Sequence, residues 1–271
     1  MLKLAIVTDY FSGSGLGNYL RSREIYNVSL KLNFDYKLFK YDEFIKNKKF
    51  YDVILLDLPL FDYTKNLKKN FKNSLIISLD HYNKFFVDAN IALFKKTKYA
   101  KYNFLNLKYA VIRNEFKKKI SINLNTILIS IGSSDILNKT KILKKNFSPY
   151  FKKVLFTEKY MKKEFKKNRN QLFLKLIEKC KVVAVNGGTT MMEMIYLNKL
   201  VFVYPQNKFE RSFAKYLKLK KFSIFINPKI NRAFIQSLKF IKQNNTCFDK
   251  LGANRILLLI KKLYTSKKNI K

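Results

Sequence analysis

Glycine is scarce in this chain: seven residues among 271, where average usage of about 7% would give roughly nineteen. Histidine occurs once, at His81, and cysteine twice, at Cys180 and Cys247, with no CxxC or CxH spacing. No zinc site follows from so few ligands, and the two thiols read as reduced, in a cytoplasmic compartment. No stretch approaches the roughly eighteen uncharged apolar residues that a membrane span requires. The opening "MLKLAIVTDY" carries too short an apolar run before Asp9 for a signal peptide. The expectation is a soluble cytoplasmic protein.

Acidic residues are also few, 18 against 56 basic ones, which leaves a formal charge of +38. That excess points toward polyanions. Yet 49 of the basic residues are lysine, spread over nearly every segment. Sequence-specific nucleic-acid readers concentrate Arg with Asn or Gln at base edges, and no such cluster stands out. No specific nucleic-acid partner is expected. Scattered lysines do suffice for loose peripheral attraction to an anionic membrane surface.

Apolar residues make up 48% of the chain, enough for one large domain or two smaller ones. Short apolar runs alternate with lysine-rich helical stretches. "LKLAIV" (2–7), "DYKLF" (35–39), "YDVILLD" (51–57) and "SLIISLD" (74–80) read as strands, with an amphipathic helix over 18–32. "LKYAVIRNEF" (107–116) reads as a further strand running into a charged linker. A second series follows: strands at "NTILISIGSSD" (125–135), "KKVLFT" (152–157), the start of "KVVAVNGGTTMMEMIYL" (181–197) and "LVFVYP" (200–205). "QLFLKLIEK" (171–179) and "ANRILLLIKKLY" near the end read as helices. Such alternation predicts parallel sheets with crossover helices. The expected organisation is two Rossmann-like domains, 1–115 and 124–250, followed by a C-terminal helix over 251–271.

Six of the seven glycines then fall at the carboxyl ends of predicted strands. Gly13, Gly15 and Gly17 follow the first, Gly132 follows "ILISI", and Gly187 and Gly188 follow "VVAV". Ligands of open α/β sheets bind beyond those strand ends. Glycine lets backbone N–H groups approach an anion, and a helix starting directly afterwards adds its free N–H groups and positive dipole end. A cleft holding a phosphorylated ligand between two facing domains is the expectation.

"GLGNYLRS", "LLD", "IGSSD" and "NGGTTMMEMIYLNKLVFVYPQN", in this order, resemble nucleotide-sugar enzymes of the GT-B fold. The nearest likeness is to the UDP-2,4-diacetamido-2,4,6-trideoxy-altropyranose hydrolases of pseudaminic acid biosynthesis. More distantly the chain is similar to the glycosyltransferases that add N-acetylglucosamine to lipid-linked peptidoglycan precursor. "DKLGANRILLL" (249–259) resembles a D-x-x-G-x-x-R pattern before the last helix. The resemblance implies a GT-B-like α/β fold and a UDP-sugar substrate, with no metal or other cofactor. Gly15, Gly17 and Arg21 would meet the sugar, as would Gln206 and Asn207. Gly132, Gly187, Gly188, Thr189 and Thr190 would hold the diphosphate, and Glu193 the ribose hydroxyls.

Two departures qualify that transfer. Asn18 stands where the hydrolases carry the histidine that activates water, and an amide takes no proton at neutral pH. His81, beside Asp80, is the candidate replacement base. The stretch between "IGSSD" and "VNGG" is also shorter than the family pattern by roughly one βα unit. A nucleotide-sugar hydrolase releasing UDP is the first expectation. A GT-B glycosyltransferase on a UDP-sugar, or a catalytically degenerate sugar-nucleotide binder, is the alternative.

Overall fold

The computed structural model describes residues 2–9, 16–32, 34–47, 49–58, 67–81, 84–117, 123–132, 135, 138–157, 169–241 and 248–268. The chain divides into two compact units. One comprises Met1–Asn114 together with Asp249–Lys271, the other Glu115–Phe248.

The first unit is built from β1 (Leu2–Thr8), α1 (Gly17–Ser29), β2 (Phe34–Lys40), α2 (Tyr41–Lys46), β3 (Val53–Asp57), α3 (Leu67–Asn70), β4 (Leu75–Leu79), β5 (Val87–Ala92) and β6 (Ala100–Leu105). Its sheet is parallel throughout, in the order β2-β1-β3-β4-β5-β6. A parallel sheet covered on both faces needs strands that are apolar on both sides. The sequence supplies them: in β1, Leu4 and Ile6 enter one core while Ala5 and Val7 enter the other. Phe44 from α2 and Leu67 from α3 complete the second core, and Ile25 from α1 contributes to the first.

The second unit contains β7 (Thr126–Ser130), α4 (Lys139–Phe147), β8 (Lys153–Phe156), α5 (Arg169–Glu178), β9 (Val182–Val185), α6 (Thr189–Tyr196), β10 (Leu200–Val203), α7 (Lys208–Leu219), β11 (Ile224–Ile226) and α8 (Arg232–Ser237). Its sheet is again parallel, ordered β11-β10-β9-β7-β8. Ile127, Ile129, Val182, Ala184 and Phe202 pack on one face with Phe147 of α4, while α6 contacts β9 and β10.

The final helix, α9 (Gly252–Lys268), returns to the first unit, where Ile256, Leu257 and Ile260 pack into the core of β1, β3 and β4. The sequence leaves this helix as a separate element; its apolar stripe is the cover for one face of the first sheet. Residues 107–116 also depart from the predicted strand. Asn106 accepts from the Lys108 amide at 2.9 Å and starts a 3-10 turn, Leu107–Tyr109, after which Ala110, Val111 and Ile112 are buried without joining the sheet.

The D-x-x-G-x-x-R pattern acquires a physical meaning here. Arg255 grips Asp249 through two bonds of 2.7 Å and donates to the Lys108 carbonyl at 3.1 Å. Between them, Gly252 lies so close to the 3-10 segment that a Cβ would stand 2.0 Å from the Ala110 carbonyl oxygen. Backbone cannot retreat cheaply, so Gly252→Ala is expected to destabilise the first unit by about 1–3 kcal/mol or more. Exposed Leu258→Ala on the same helix should stay within about 0.5 kcal/mol. Chemical denaturation midpoints of the two variants check the contrast; equal midpoints would contradict it.

Candidate functional site

Both sheets present their strand ends to loops that start helices. In the first unit, α1 begins at Gly17, with half-buried Asn18 in its first turn; Gly13 and Gly15 lie outside the described residues. One turn on, the Arg21 side chain is drawn inward rather than outward. Its Nε and Nη2 bind the two oxygens of Asp57, at the end of β3, at 2.9 and 2.6 Å. Nη1 binds Asp80, just past β4, at 2.6 Å. Ser22 Oγ adds a bond to Asp57 at 3.0 Å. Burial opposes the Arg21 charge, but Asp57 and then Asp80 outweigh it and raise its pKa. Burial pushes the Asp57 carboxyl above the usual carboxylate range, with Arg21 working against the rise.

Asp80 occupies the left-handed region at φ +44°, a sparsely populated conformation for a residue with a Cβ. Its Oδ1 accepts from the Leu93 amide at 3.1 Å, a bond that helps hold the turn. Arg21, expected to meet a sugar, is thus occupied with two carboxylates of its own unit.

His81, the candidate replacement base, is held inside the fold. The ring is buried, with Nε2 2.9 Å from the Phe85 carbonyl and Nδ1 3.0 Å from Ser78 Oγ. A carbonyl only accepts, so Nε2 carries the proton and Nδ1 accepts from the serine hydroxyl. Both nitrogens are committed within the fold. Burial lowers the His81 pKa, with the Phe85 bond opposing.

The second unit gathers more polar backbone at one sheet edge. Gly132, just past β7, has φ +95°, a conformation in which a side chain is strained. After β9 come Asn186, Gly187 and Gly188, and α6 starts at Thr189 with Gly188 as its cap residue and no side-chain cap. The first amides of a helix lack intrahelical acceptors, and among the described residues neither the Thr189 nor the Thr190 hydroxyl has a partner. After β10, Gln206 Nε2 donates to the Ile131 carbonyl at 2.6 Å, which ties the β10 loop to the β7 loop. Its Oε1 is buried without a partner.

Glu210 organises this edge, and sequence reasoning missed it. Asn207 Oδ1 accepts from the Glu210 amide at 2.9 Å and so caps α7. The N-x-x-E spacing of a capping box was visible in "QNKFE". Here the carboxylate reaches further back than the cap. It accepts from the Gln206 amide at 2.7 Å and from Asn186 Nδ2 at 2.8 Å. One buried carboxylate therefore joins the loops after β9 and β10. Glu193, expected to meet ribose, is a buried residue of α6, 2% exposed.

No family model matches the chain, and no curated protein matches it. Among solved structures it is similar to MurG from Acinetobacter baumannii, with 8% identity, a TM-score of 0.52, and coverage of 97% of this chain and 100% of that one. It is also similar to the wall teichoic acid polymerase TagF, with 10% identity, a TM-score of 0.50, and coverage of 97% and 89%. These likenesses show a GT-B glycosyltransferase-like α/β fold.

The adjacent glycines separate by what surrounds them. A Cβ on Gly187 would stand 2.6 Å from both the Cβ and the carbonyl oxygen of Glu210, whereas one on Gly188 would meet the Asn186 side chain alone, no nearer than 3.4 Å. Gly187→Ala is expected to cost about 1–3 kcal/mol and Gly188→Ala within about 0.5 kcal/mol, as read from denaturation midpoints. A Gly188 variant as unstable as the Gly187 one would contradict this reading.

The His81 ring also sets a pH dependence. The unfolded chain takes its proton near pH 6.5, the folded ring only at lower pH. Stability therefore falls as pH drops through about 6.5 and levels off below the folded value. The difference in unfolding midpoint between the wild type and His81→Gln should be largest above about pH 7 and shrink toward pH 5. A difference that is constant over that range would show that the ring is not held neutral.

Proposed function

We infer that the protein is a glycosyltransferase acting on a nucleotide-activated sugar, with UDP as the nucleotide and the diphosphate bound at the carboxyl edge of the second sheet. The observation that carries this reading is the uncapped start of α6. Gly188 offers no side chain there, and among the described residues the Thr189 and Thr190 amides and hydroxyls have no partner. Backbone N–H groups at a helix start suit a diphosphate, and the same donors stabilise the charge that builds on the departing nucleotide. The left-handed backbone of Gly132 and the buried acceptor Oε1 of Gln206 border the same edge.

Transfer rather than hydrolysis is supported by two points. The structural neighbours with this fold include MurG and the polymerase TagF. In addition, Asn18 cannot take a proton from water, and the His81 nitrogens are both bound. Asn18, in the first turn of α1, retains the donor and acceptor needed to orient a hydroxyl.

Calorimetric titration with UDP tests the reading, on wild type and on Gly188→Ala, at about 150 mM and about 500 mM salt. Saturable binding that changes little with salt, and that Gly188→Ala weakens about tenfold, or about 1.4 kcal/mol, is the expected result. Binding that vanishes at high salt and ignores the substitution would overturn it and leave only diffuse attraction of a polyanion to a +38 chain.

A further inference from the structure

The first unit carries a second concave surface, at the amino edge of its sheet, opposite Asp57 and Asp80. It is a cavity of about 450 Å³ between the segment that leads from α2 into β3 and the segment that leads from α3 into β4. Its two walls are tied together: Ser74 Oγ donates to the Tyr51 carbonyl at 2.6 Å, and the Leu75 amide to the Asp52 carbonyl at 2.8 Å. The cavity is therefore built before anything enters it. Phe71 lines it and is stacked on Phe44, with ring centroids 4.8 Å apart. Phe50 and Ile45 also line it and stand exposed, at 53% and 38%.

Open hydrogen-bonding groups stand beside these apolar side chains. Among the described residues, the Phe50 amide and carbonyl have no partner, and neither do the side-chain amides of Asn70 and Asn73. The charge is of one sign: "IKNKKF" (45–50) and "KKNFKNS" (68–74) contain six lysines and no acid. Lys49 and Lys72 line the cavity and are exposed. Asp52, just past Phe50, is taken up by Tyr264 Oη and the Lys3 amide, each at 2.9 Å. Asp42 and Glu43 stand in the first turn of α2, where Glu43 turns back to the Lys40 amide at 3.4 Å.

Three kinds of group thus meet in one place: an apolar hollow, unpaired donors and acceptors, and uncompensated cations. An extended polypeptide with acidic residues around one apolar side chain complements all three. The apolar side chain fills the hollow as an anchor, the main chain pairs with the open Phe50 groups, and the carboxylates meet the lysines. A single-stranded nucleic acid uses the cations and an aromatic platform but has no use for exposed Ile45. A second copy of this chain does not fit. Two chains at +38 repel each other, and the 18 acids of the sequence include a single adjacent pair, Asp42 and Glu43.

We propose that this cavity docks an acidic, extended segment of a partner protein, with an aromatic or large aliphatic side chain seated on Phe71 and carboxylates at Lys49 and Lys72. The site belongs to the first unit alone and its test uses no nucleotide, so its failure leaves the glycosyltransferase reading untouched.

Fluorescence anisotropy tests it with a labelled peptide of about seven residues, one phenylalanine flanked by glutamates, at about 150 mM salt. Saturable binding at about 10–100 μM is expected, and none below about 1 mM would overturn the proposal. A peptide with serine in place of the phenylalanine, and one N-methylated on both sides of it, should each bind at least ~tenfold more weakly. Lys49→Glu with Lys72→Glu should lower the affinity at least ~tenfold. Phe50→Ser, which leaves the charge unchanged, should lower it several-fold. Lys145→Glu with Lys215→Glu, exposed positions on α4 and α7, makes the same change in net charge and should lower the affinity less than about threefold. Equal losses from the two charge-reversed pairs, or equal affinity for the serine peptide, would reduce the effect to net charge and overturn the proposal. So would tighter binding of single-stranded oligothymidylate that is lost in the Lys49 and Lys72 variant, which would mark a surface for nucleic acid.

Discussion

A single buried arginine holds the carboxyl edge of the first sheet together. Two acidic side chains at the ends of neighbouring strands would repel each other in a site with little water. Arg21 answers both, with its planar fork meeting the two oxygens of Asp57 and its remaining arm meeting Asp80. A lysine has no such fork. Buried ion pairs of this kind add little net stability, but removing one partner strands a charge and costs about 3–5 kcal/mol. The arrangement therefore acts less as glue than as a constraint. It ties the first turns of α1 to the ends of β3 and β4, and so fixes where the residues ahead of it, Gly17 and Asn18, begin their helix.

The second unit meets the same need with neutral partners. Glu210 accepts from one backbone amide and one asparagine amide, and Gln206 spans to the Ile131 carbonyl. Satisfied polar atoms form the frame, and Gln206 Oε1 is the one buried side-chain polar atom of this unit left without a partner among the described residues, beside the gap that the frame leaves. That gap lies at the start of α6, where Gly187 is packed against Glu210 too closely for a side chain and Gly188 has room beside it. The first glycine is required by packing against Glu210, and the second is the one at which the proposed ligand would approach the backbone.

Strands β1, β3, β4, β7, β9 and β10 were legible because a strand buried on both faces must be a continuous apolar run. Strands β2 and β8 were read as strands too, whereas β5, β6 and β11 escaped for equally physical reasons. In β5, "VDANIA" is interrupted by Asn90, a buried polar residue whose amide bonds Asn103 and whose oxygen accepts from the His81 amide. The edge strand β6 is only partly buried, and β11 is three residues long. Gly132, Gly187 and Gly188 do lie just past the ends of β7 and β9, as their place after apolar runs in the sequence indicated. The surroundings of Arg21, His81 and Glu193 were not readable, because their partners lie far away in sequence or their burial depends on tertiary packing. Arg21 finds Asp80 across 59 positions. Glu210 was recoverable as the third residue after its cap, but its reach to Asn186 was not.

Hydrogen–deuterium exchange of the full-length protein with and without UDP is the most direct measure of whether exposed backbone at the start of α6 is the ligand's contact. The account predicts slowed exchange at the amides of 188–191 on adding UDP, with α1 and the amides around Asp80 unchanged by UDP alone. Unchanged exchange at 188–191 under saturating UDP, or protection confined to the lysine-rich surfaces, would contradict it.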